Sequence, residues 1–416
     1  MTEIGWETNY TVEEDETVKF RLNKTVAAVA SGALLLMVVP LAGFASTSGA
    51  STKPTYVIGY EGPLSGGNQQ LGLNMIFAVQ LAINNANATG KLPFKLKLAQ
   101  FDDQGSGTLS PAQAQAAVAS KKLVAVVGPA FSGATEAAEP YYSAADIATV
   151  SPSATAAALA KGTQNNFMRV VAGDDVQGAA DADFLVKTHS TKTLAVINDG
   201  SFYGAGLAAV VAKQASADGA TVTPNTYPET GSCGGTASVS EYTAAATQIV
   251  ASNPSGLFYG GYYCDFGLLL GALSSAGYKG TVMSGDGSWS TALIAGTTPA
   301  AAANNVYLSE AGGGNSNLTG KLASEYKALS HFTANNATYA AQSYDATNMV
   351  IAAMGKVKLS TNLKSLRKSL IVELHKLTFK GVTGTIKFQG NGDLTRSSVV
   401  DFGQVAGATI NSIGHS

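Results

Sequence analysis

The chain has 416 residues, of which 45% are hydrophobic and 13% are charged, and its formal net charge is −2. This length exceeds one ordinary hydrophobic core and predicts two lobes, while the regular apolar runs exclude a disordered protein. The near-neutral charge excludes the clustered basic surface that nucleic-acid binding requires.

The N-terminus, residues 1–45, is predicted to be an N-terminal extension followed by a signal peptide. Basic residues precede a long apolar run, residues 26–41, and cleavage is expected after Ala45. The acidic residues before Val18 are unusual for a signal and suggest that translation starts at Val18. Phe44 stands where a lipoprotein signal has its cysteine, so no lipid anchor is expected. The protein is therefore predicted to be extracytoplasmic, in a periplasm or secreted. The alternative is an uncleaved membrane helix that tethers a sensor ectodomain.

From residue 54 onward, strands and helices alternate, which predicts an α/β fold with parallel sheets. In the first half, strands are predicted at Tyr56–Tyr60, Lys95–Phe101, Leu123–Val127 and Ile147–Val150. Helices are predicted at Asn74–Asn87 and at Pro111–Ser120, the second with Ser110 as its N-cap.

The same pattern restarts near Gly173 and predicts a second lobe of the same type. Its strands are predicted at Thr193–Asn198, Thr221–Tyr227, Gly256–Gly260, Gly280–Ser284 and Val306–Glu310. Its helices are predicted at Gly204–Ala217, Glu241–Ser252 and Asp265–Ala276. Further along the chain, helices are predicted at Ser343–Lys356 and Leu363–Leu374, and extended segments at Gly384–Phe388 and Ser398–Gln404.

Two loops rich in hydroxyl groups follow neighbouring strands of the first lobe. The first loop carries Ser132 and Thr135, and the second carries Ser151, Ser153 and Thr155. Because the carboxyl ends of parallel strands meet at one edge of a sheet, where ligands bind, these loops are expected to lie together. Hydroxyls and free N–H groups at a helix start favour an anion such as a carboxylate. The sequence therefore predicts a small-molecule site.

Sequence motifs of catalysis are missing from the chain. It has no Gly-x-Ser-x-Gly elbow, Walker loop or Gly-x-Gly-x-x-Gly fingerprint. Its four histidines are isolated, and the adjacent acids Asp102 and Asp103 lack a third ligand for a metal. We expect no catalytic residue, no metal and no other cofactor. The rival interpretation, a secreted α/β hydrolase, would need a nucleophile with an aligned base.

The two cysteines of the chain, Cys233 and Cys264, both fall in the part that is predicted to be exported. An even number of cysteines outside the cytoplasm favours a disulfide bond between them. Each cysteine follows an apolar strand of the predicted second lobe. The alternative is a pair of unrelated thiols.

Further loops with aromatic, hydroxyl or carboxylate groups follow other strands, and together the segments form an ordered set. These are IGYEGPLSGGNQQLG, FDDQ, VVGPAFSGAT, SPSAT, NDGSFYGAG, FYGGYYCDFG, SGDG and FKGVTGTIKFQGNGD. In order and spacing they resemble the extracytoplasmic solute-binding proteins of ABC transporters, of the branched-chain amino-acid (Leu/Ile/Val) type. The resemblance to these type I periplasmic binding proteins covers residues 56–402.

The resemblance implies two Rossmann-like lobes with parallel sheets joined by a three-segment hinge. Lobe 1 is expected to comprise residues 54–173 and 311–388, and lobe 2 residues 174–310 and 389–416. It also implies a monomer that captures a small-molecule ligand by lobe closure and delivers it to an ABC permease in the inner membrane.

The resemblance also assigns ligand-binding roles to loop residues. Ser132 corresponds to the serine that binds the ligand carboxylate, and Ser153, Ala154 and Thr155 correspond to a loop that adds backbone and hydroxyl contacts. The predicted ligand is an amino acid of the branched-chain type.

The resemblance assigns the other half of the ligand to residues of the second lobe and to the loop after the first strand of the chain. Tyr203 and Tyr262 correspond to two tyrosines of the family site, and Asp286 to the acid that pairs with the ligand ammonium, often Glu in relatives. Leu71 stands where relatives often have an aromatic residue. Because these two positions depart from the pattern, urea, a short amide or an aromatic acid remain alternative ligands.

Overall fold

The structure is a computed structural model that includes side chains. The residues described are 53–161, 165–226, 236–312, 318–334, 337–395 and 399–416. The predicted signal peptide, its cleavage site, Tyr227, Cys233 and Ser398 lie outside these ranges. Within them, no helix combines the length and the apolar character that a membrane crossing needs.

The first lobe is built on a five-stranded parallel sheet. Its strands are β1 (Thr55–Gly62), β2 (Lys95–Asp102), β3 (Leu123–Val127), β4 (Ala148–Ser151) and β5 (Phe167–Arg169), and its first helices are α1 (Gln69–Ala88), α2 (Ser110–Ala119) and α3 (Ser132–Ala144). The strand order is β2-β1-β3-β4-β5. β3 is buried along its whole length, because helices cover both faces of a parallel sheet and favour an unbroken apolar run.

The second lobe begins with α4 (Asp174–Asp183), which continues as one π-helical turn, Phe184–Thr188. Its next strands are β6 (Thr193–Asn198), β7 (Thr221–Thr226), β8 (Gly256–Gly260), β9 (Thr281–Ser284) and β10 (Tyr307–Glu310). Its helices are α5 (Phe202–Ala217), α6 (Thr236–Ser252), α7 (Tyr263–Ala276) and α8 (Thr291–Gly296).

The chain then returns to the first lobe. Three helices follow, α9 (Gly320–Ser330), α10 (Ala340–Met354) and α11 (Leu363–Lys376), and then a small hairpin of β11 (Phe379–Gly381) and β12 (Gly384–Ile386). α10 packs against α1 and against β3 and β4, and α11 packs on β3. These late helices therefore complete the core of a lobe that the first third of the chain begins.

The last two strands, β13 (Asp401–Ala406) and β14 (Thr409–His415), return to the second lobe. They extend its sheet to seven strands in the order β14-β13-β10-β9-β8-β6-β7. β13 runs antiparallel to β10 and β14 runs antiparallel to β13, so this sheet is parallel only from β10 to β7.

The chain crosses between the lobes three times, as the predicted fold class requires. Two of the crossings touch, because the Ala172 N–H donates to the Ala311 carbonyl at 3.1 Å. The third crossing contacts the end of the first sheet, where the Arg169 N–H donates to the Gly392 carbonyl at 3.0 Å. The residue boundaries of the two lobes stay a prediction.

Most predicted elements are present, and one cap is wrong. β3, β6 and β8 have the predicted bounds. Ser110 is not the N-cap of α2 but its first helical residue, after Leu109. Its hydroxyl lies between the buried carboxyl of Glu61 and the Ala134 carbonyl, so it is not free to cap the helix. β5, α4, α8, α9, β11 and β14 were not predicted.

Candidate functional site

Four loops bring polar side chains to the carboxyl ends of the parallel strands. Ser132 opens α3 directly after β3, and Ser153 follows β4. On the other sheet, Tyr262 precedes α7 after β8, and Asp286 follows β9. The two lobes turn these edges toward each other, so the loops share one crevice.

The crevice contains a cavity with a volume of about 10 Å³. It is lined by Leu71, Met75, Ala130, Phe131, Ser132, Ser153, Tyr203, Tyr262, Asp286, Gly287 and Tyr339. Space of this size holds about one water molecule. In this closed arrangement an amino acid cannot enter, and the lobes have to separate to admit one.

Six of the eight residues predicted to bind the ligand line this cavity, which is where the structure brings them together. The other two, Ala154 and Thr155, are fully buried beside it and do not line it. The binding roles of all eight residues stay predictions.

The first lobe contributes hydroxyl groups to the cavity. Ser132 is 2% exposed, and its Oγ accepts a hydrogen bond of 3.1 Å from the Ala156 N–H. The Ser153 hydroxyl donates to the Ala130 carbonyl at 2.7 Å. Ser132 therefore keeps its own O–H as a donor, whereas the Ser153 hydroxyl is held by its own lobe.

The loop after β4 is tied down by its neighbours. The Ala154 N–H donates to Ser151 Oγ at 3.0 Å, and the Thr155 carbonyl accepts from the Asp174 N–H at 2.8 Å across the lobe boundary. The Thr155 side chain is fully buried, and its hydroxyl interacts with the Asp174 carboxyl.

The second lobe contributes one carboxyl group, that of Asp286, which is 3% exposed. The Tyr203 hydroxyl donates to Asp286 Oδ1 at 2.7 Å and accepts from the Gly287 N–H at 3.0 Å. Burial raises the pKa of Asp286, and the hydrogen bond from Tyr203 opposes that rise. A cation placed beside Asp286 would lower its pKa again and restore the ionised form.

Two further carboxyls lie behind Asp286 on the buried face of α4. Asp174 and Asp181 are 1% and 0% exposed. Burial, together with the nearby charge of Asp286, raises the pKa of Asp174 to about 8. Burial also holds the pKa of Asp181 well above its usual range. Of these three carboxyls only that of Asp286 lines the cavity, so Asp286 is the one that a cation in the cavity would meet.

Aromatic rings close the crevice from both sides. Phe131 of the first lobe stacks on Tyr262 of the second, with ring centroids 4.2 Å apart and planes 12° apart. Tyr203 lies next to Tyr262 at 5.3 Å. Gly287 allows this approach, because a Cβ at that position would lie 2.8 Å from Tyr203 Cε1. These rings therefore narrow the crevice beside the Asp286 carboxyl.

Sequence reasoning missed several lining residues. Phe131 directly precedes Ser132 but has no polar group to mark it. Met75 lies in the middle of α1, where an apolar residue is ordinary core. Tyr339, with φ of 64°, precedes α10 and comes from the returning part of the chain. Its hydroxyl is buried and interacts with the Asp286 carboxyl. Only the unusual backbone conformation of Tyr339 sets it apart, and that is not visible in a sequence.

The acidic and cysteine side chains of the structure bear on the expected absence of a metal and on the expected disulfide bond. No group of three or more His, Cys, Asp or Glu placed to hold a metal occurs among the described residues. Cys264 takes part in a disulfide bond. Its predicted partner Cys233 lies outside the described residues, so the pairing itself stays a prediction.

Comparison with known proteins places this architecture among solute receptors. A family model described as periplasmic binding protein matches residues 55–408. An amino acid binding protein of Pseudomonas aeruginosa is 30% identical over 232 residues, or 56% of this chain and 60% of the relative. The Leu/Ile/Val-binding protein BraC3 of Rhizobium johnstonii is 29% identical over 59% of this chain and 65% of the relative. The chain thus spans less than two thirds of these relatives.

Solved structures share the fold. The branched-chain amino acid receptor LivJ of Streptococcus pneumoniae, in complex with isoleucine, has a TM-score of 0.74 at 22% identity, covering 86% of this chain and 99% of that one. A benzoate complex of a solute-binding protein from R. palustris has a TM-score of 0.72 at 16% identity, covering 87% and 96%. At these identities the likeness concerns the fold alone.

Proposed function

Because this chain belongs to the periplasmic binding protein family, we propose that it is a solute receptor of an ABC transporter. Its solute is an amino acid with an aliphatic side chain, which it captures between the lobes and delivers to a permease. The names of the relatives support this choice, since they include an amino acid binding protein and a Leu/Ile/Val-binding protein.

One observation carries the proposal: hydroxyls of one lobe and a buried carboxyl of the other line the same cavity. The Ser132 hydroxyl would donate to the carboxylate of the amino acid, and Asp286 would accept from its ammonium. Hydrogen bonds to charged groups contribute about 1.5–3 kcal/mol each. Since the two ends of the solute engage different lobes, binding favours the closed form.

The apolar residues of the cavity support an aliphatic side chain. Leu71, Met75 and the ring of Phe131 lie on the first-lobe side, and each is at most 5% exposed. Leu and Met adapt to branched aliphatic groups and offer no donor or acceptor to a polar side chain. A charged side chain would lose its hydration there without a partner.

A neutral amide is the second candidate solute. Burial raises the pKa of Asp286, and a protonated carboxyl donates a hydrogen bond to an amide carbonyl. This candidate, which includes urea and short amides, predicts tighter binding when the pH falls. An aromatic acid is a weaker candidate because it has no ammonium to pair with Asp286, although Phe131 and Tyr262 offer rings for stacking.

Members of this family bind solutes outside the cytoplasm, and we assign the same location to this receptor. We assign the receptor a signal peptide removed near Ala45, no lipid anchor and a monomeric state. It has no enzymatic activity and no cofactor in this assignment, and the permease is its protein partner.

A thermal-shift screen of L-amino acids, amides and small aromatic acids tests the proposal. A ligand at about one hundred times its Kd stabilises the folded protein by about 2.7 kcal/mol. We expect the largest rise in Tm with L-leucine, L-isoleucine or L-valine. A response only to amides or only to aromatic acids would select another candidate, and no response to any amino acid would contradict the proposed solute class.

A further inference from the structure

Arg169, the last residue of β5, is 1% exposed and has no direct access to the cavity. Its Nη1 donates to three consecutive carbonyls, those of Ala154 at 3.3 Å, Thr155 at 2.7 Å and Ala156 at 3.0 Å. Its Nε forms a 2.6 Å ion pair with Asp393 Oδ1. One guanidinium therefore fixes the backbone of the loop after β4.

The peptide group between Thr155 and Ala156 connects the Arg169 guanidinium to a residue that lines the cavity. Because a trans peptide is planar, its C=O and N–H point in opposite directions. The peptide between Thr155 and Ala156 has its carbonyl on Arg169 and its N–H on Ser132 Oγ. Ser132 in turn lines the cavity. The guanidinium and the cavity hydroxyl are thus joined through a single peptide group.

The neighbouring peptide has the same orientation. The Ala154 carbonyl faces Arg169, so the Thr155 N–H of that peptide points away from the guanidinium. Two successive peptide dipoles therefore have their negative ends on a buried cation and their positive ends on the opposite side. Oriented backbone dipoles of this kind act as fixed partial charges that favour an anion.

The anchor of Arg169 lies in the third crossing between the lobes. Asp393 accepts the ion pair there, and its other oxygen, Oδ2, accepts from the Asn391 side chain at 3.0 Å. Asp393 therefore balances part of the charge from the side opposite the cavity. The guanidinium is held between this crossing and the loop, so its position does not depend on the solute.

We propose that Arg169 is a positioning residue for carboxylate recognition: it holds the loop after β4 so that the Thr155 N–H turns toward the solute's acidic end and the Ala156 N–H fixes the Ser132 hydroxyl. This role rests on the proposed function, because it presumes a solute with a carboxylate. Arg169 itself touches no solute. Its contribution is the orientation of the Thr155 and Ala156 peptides and, through the second, of Ser132.

The test compares two probes by isothermal titration calorimetry, L-leucine and L-leucinamide, which keeps the ammonium but lacks the carboxylate charge. The measured quantity is the ratio of their Kd values in the wild type, Arg169→Gln, Arg169→Lys and Arg367→Gln. Arg367 is the matched control, because it too is a buried arginine that donates to a backbone carbonyl. Its Nε donates to the Leu123 carbonyl at 2.9 Å.

The wild type and Arg367→Gln are expected to share a strong preference for L-leucine. Arg169→Gln should reduce this preference by at least about tenfold, with most of the change in the Kd of L-leucine. Arg169→Lys should restore part of the preference, because a lysine keeps the charge but does not span three carbonyls and Asp393 together.

An unchanged ratio in both Arg169 variants would overturn the positioning role, even if both probes bind more weakly. If Arg169→Gln does not fold, as judged by its near-ultraviolet circular dichroism, the ratio in Arg169→Lys decides alone. A wild type that binds neither probe would instead overturn the proposed function, and the role of Arg169 with it.

Discussion

The hydroxyl of Tyr203 lies 2.7 Å from Oδ1 of Asp286, and both side chains are almost completely buried. The same hydroxyl accepts from the Gly287 N–H at 3.0 Å, so its proton is directed at the carboxyl. This pair fixes one oxygen of Asp286, whose side chain lines the cavity. The acid is thereby oriented before any solute arrives.

Replacing the acid tests its role with an ammonium. Asp286→Asn should weaken the binding of L-leucine by more than about tenfold, since a charge-assisted hydrogen bond is lost. Calorimetric Kd values measure this change. Asp175→Asn, an exposed substitution on α4, is the control and should leave the Kd unchanged. An unaltered Kd in Asp286→Asn would remove this residue from the site.

Removing only the tyrosine hydroxyl tests the orientation of the acid. Tyr203→Phe should weaken L-leucine binding by about tenfold, because Asp286 loses the partner that fixes it and opposes its protonation. The control is Tyr278→Phe, which removes a hydroxyl that donates to the Pro254 carbonyl at 3.0 Å outside the site. Equal effects of the two substitutions would speak against a role for Tyr203 in binding.

The affinity for an amino acid should depend on pH in one direction. The ammonium requires ionised Asp286, whose pKa is raised by burial. As the pH falls through this raised pKa, the carboxyl takes up a proton and the Kd for L-leucine should rise. Titrations that go stepwise downward from neutral pH follow the protonation of a carboxyl and keep the amine charged. A Kd that falls on acidification would instead favour a neutral amide.

Asp174, the buried acid near Asp286, should make the free energy of unfolding fall as the pH rises. The pKa of Asp174 is about 8 in the folded protein, against about 3.9 for an unfolded chain. The folded state therefore holds a proton that the unfolded state releases. Stability from this group is fully present below about pH 4 and is lost as the pH rises toward about 8.

Urea unfolding at several pH values measures this contribution. Asp174→Asn should flatten the decline of unfolding free energy between about pH 4 and about pH 8. Asp175→Asn should retain the decline, because that neighbouring side chain is exposed. Identical slopes for wild type and Asp174→Asn would show that Asp174 is ionised when folded.

The stack of Phe131 on Tyr262 should hold the lobes together without a solute. Such a ring pair contributes about 0.5–1.5 kcal/mol beyond the area it buries. Phe131→Ala should therefore shift the unliganded protein toward open forms, with a larger radius of gyration in small-angle X-ray scattering. Phe332→Ala removes a ring contact with Phe77 inside one lobe and should leave this radius unchanged. A compact Phe131→Ala protein would contradict the role of the stack.

The sequence predicted those parts of the fold whose local pattern agrees with their burial. β3 and β8 are unbroken apolar runs followed or ended by glycine, so their bounds were predicted correctly. α4 was missed because its buried face carries Asp174, Gln177 and Asp181 and has no apolar period. β5 has three residues and is too short to show a period.

The candidate site also contains residues that the sequence predicts and residues that it does not. Residues that follow strands, such as Ser132 and Asp286, could be found because strand ends of a parallel sheet share an edge. Tyr339 and Arg169 could not, because one is brought to the cavity by the return of the chain and the other acts from beneath a loop. Their positions depend on tertiary packing, which has no counterpart in local sequence.

The interleaved path of the chain has a consequence for biosynthesis. β3 and β4 leave the ribosome early, but α10 and α11, which cover them, follow only after the strands up to β10 have been made. The half that starts first is thus finished late, and its apolar surface stays uncovered while the other half emerges. Nascent chains in this condition are prone to aggregation, so a holding chaperone would find its binding surface on β3 and β4.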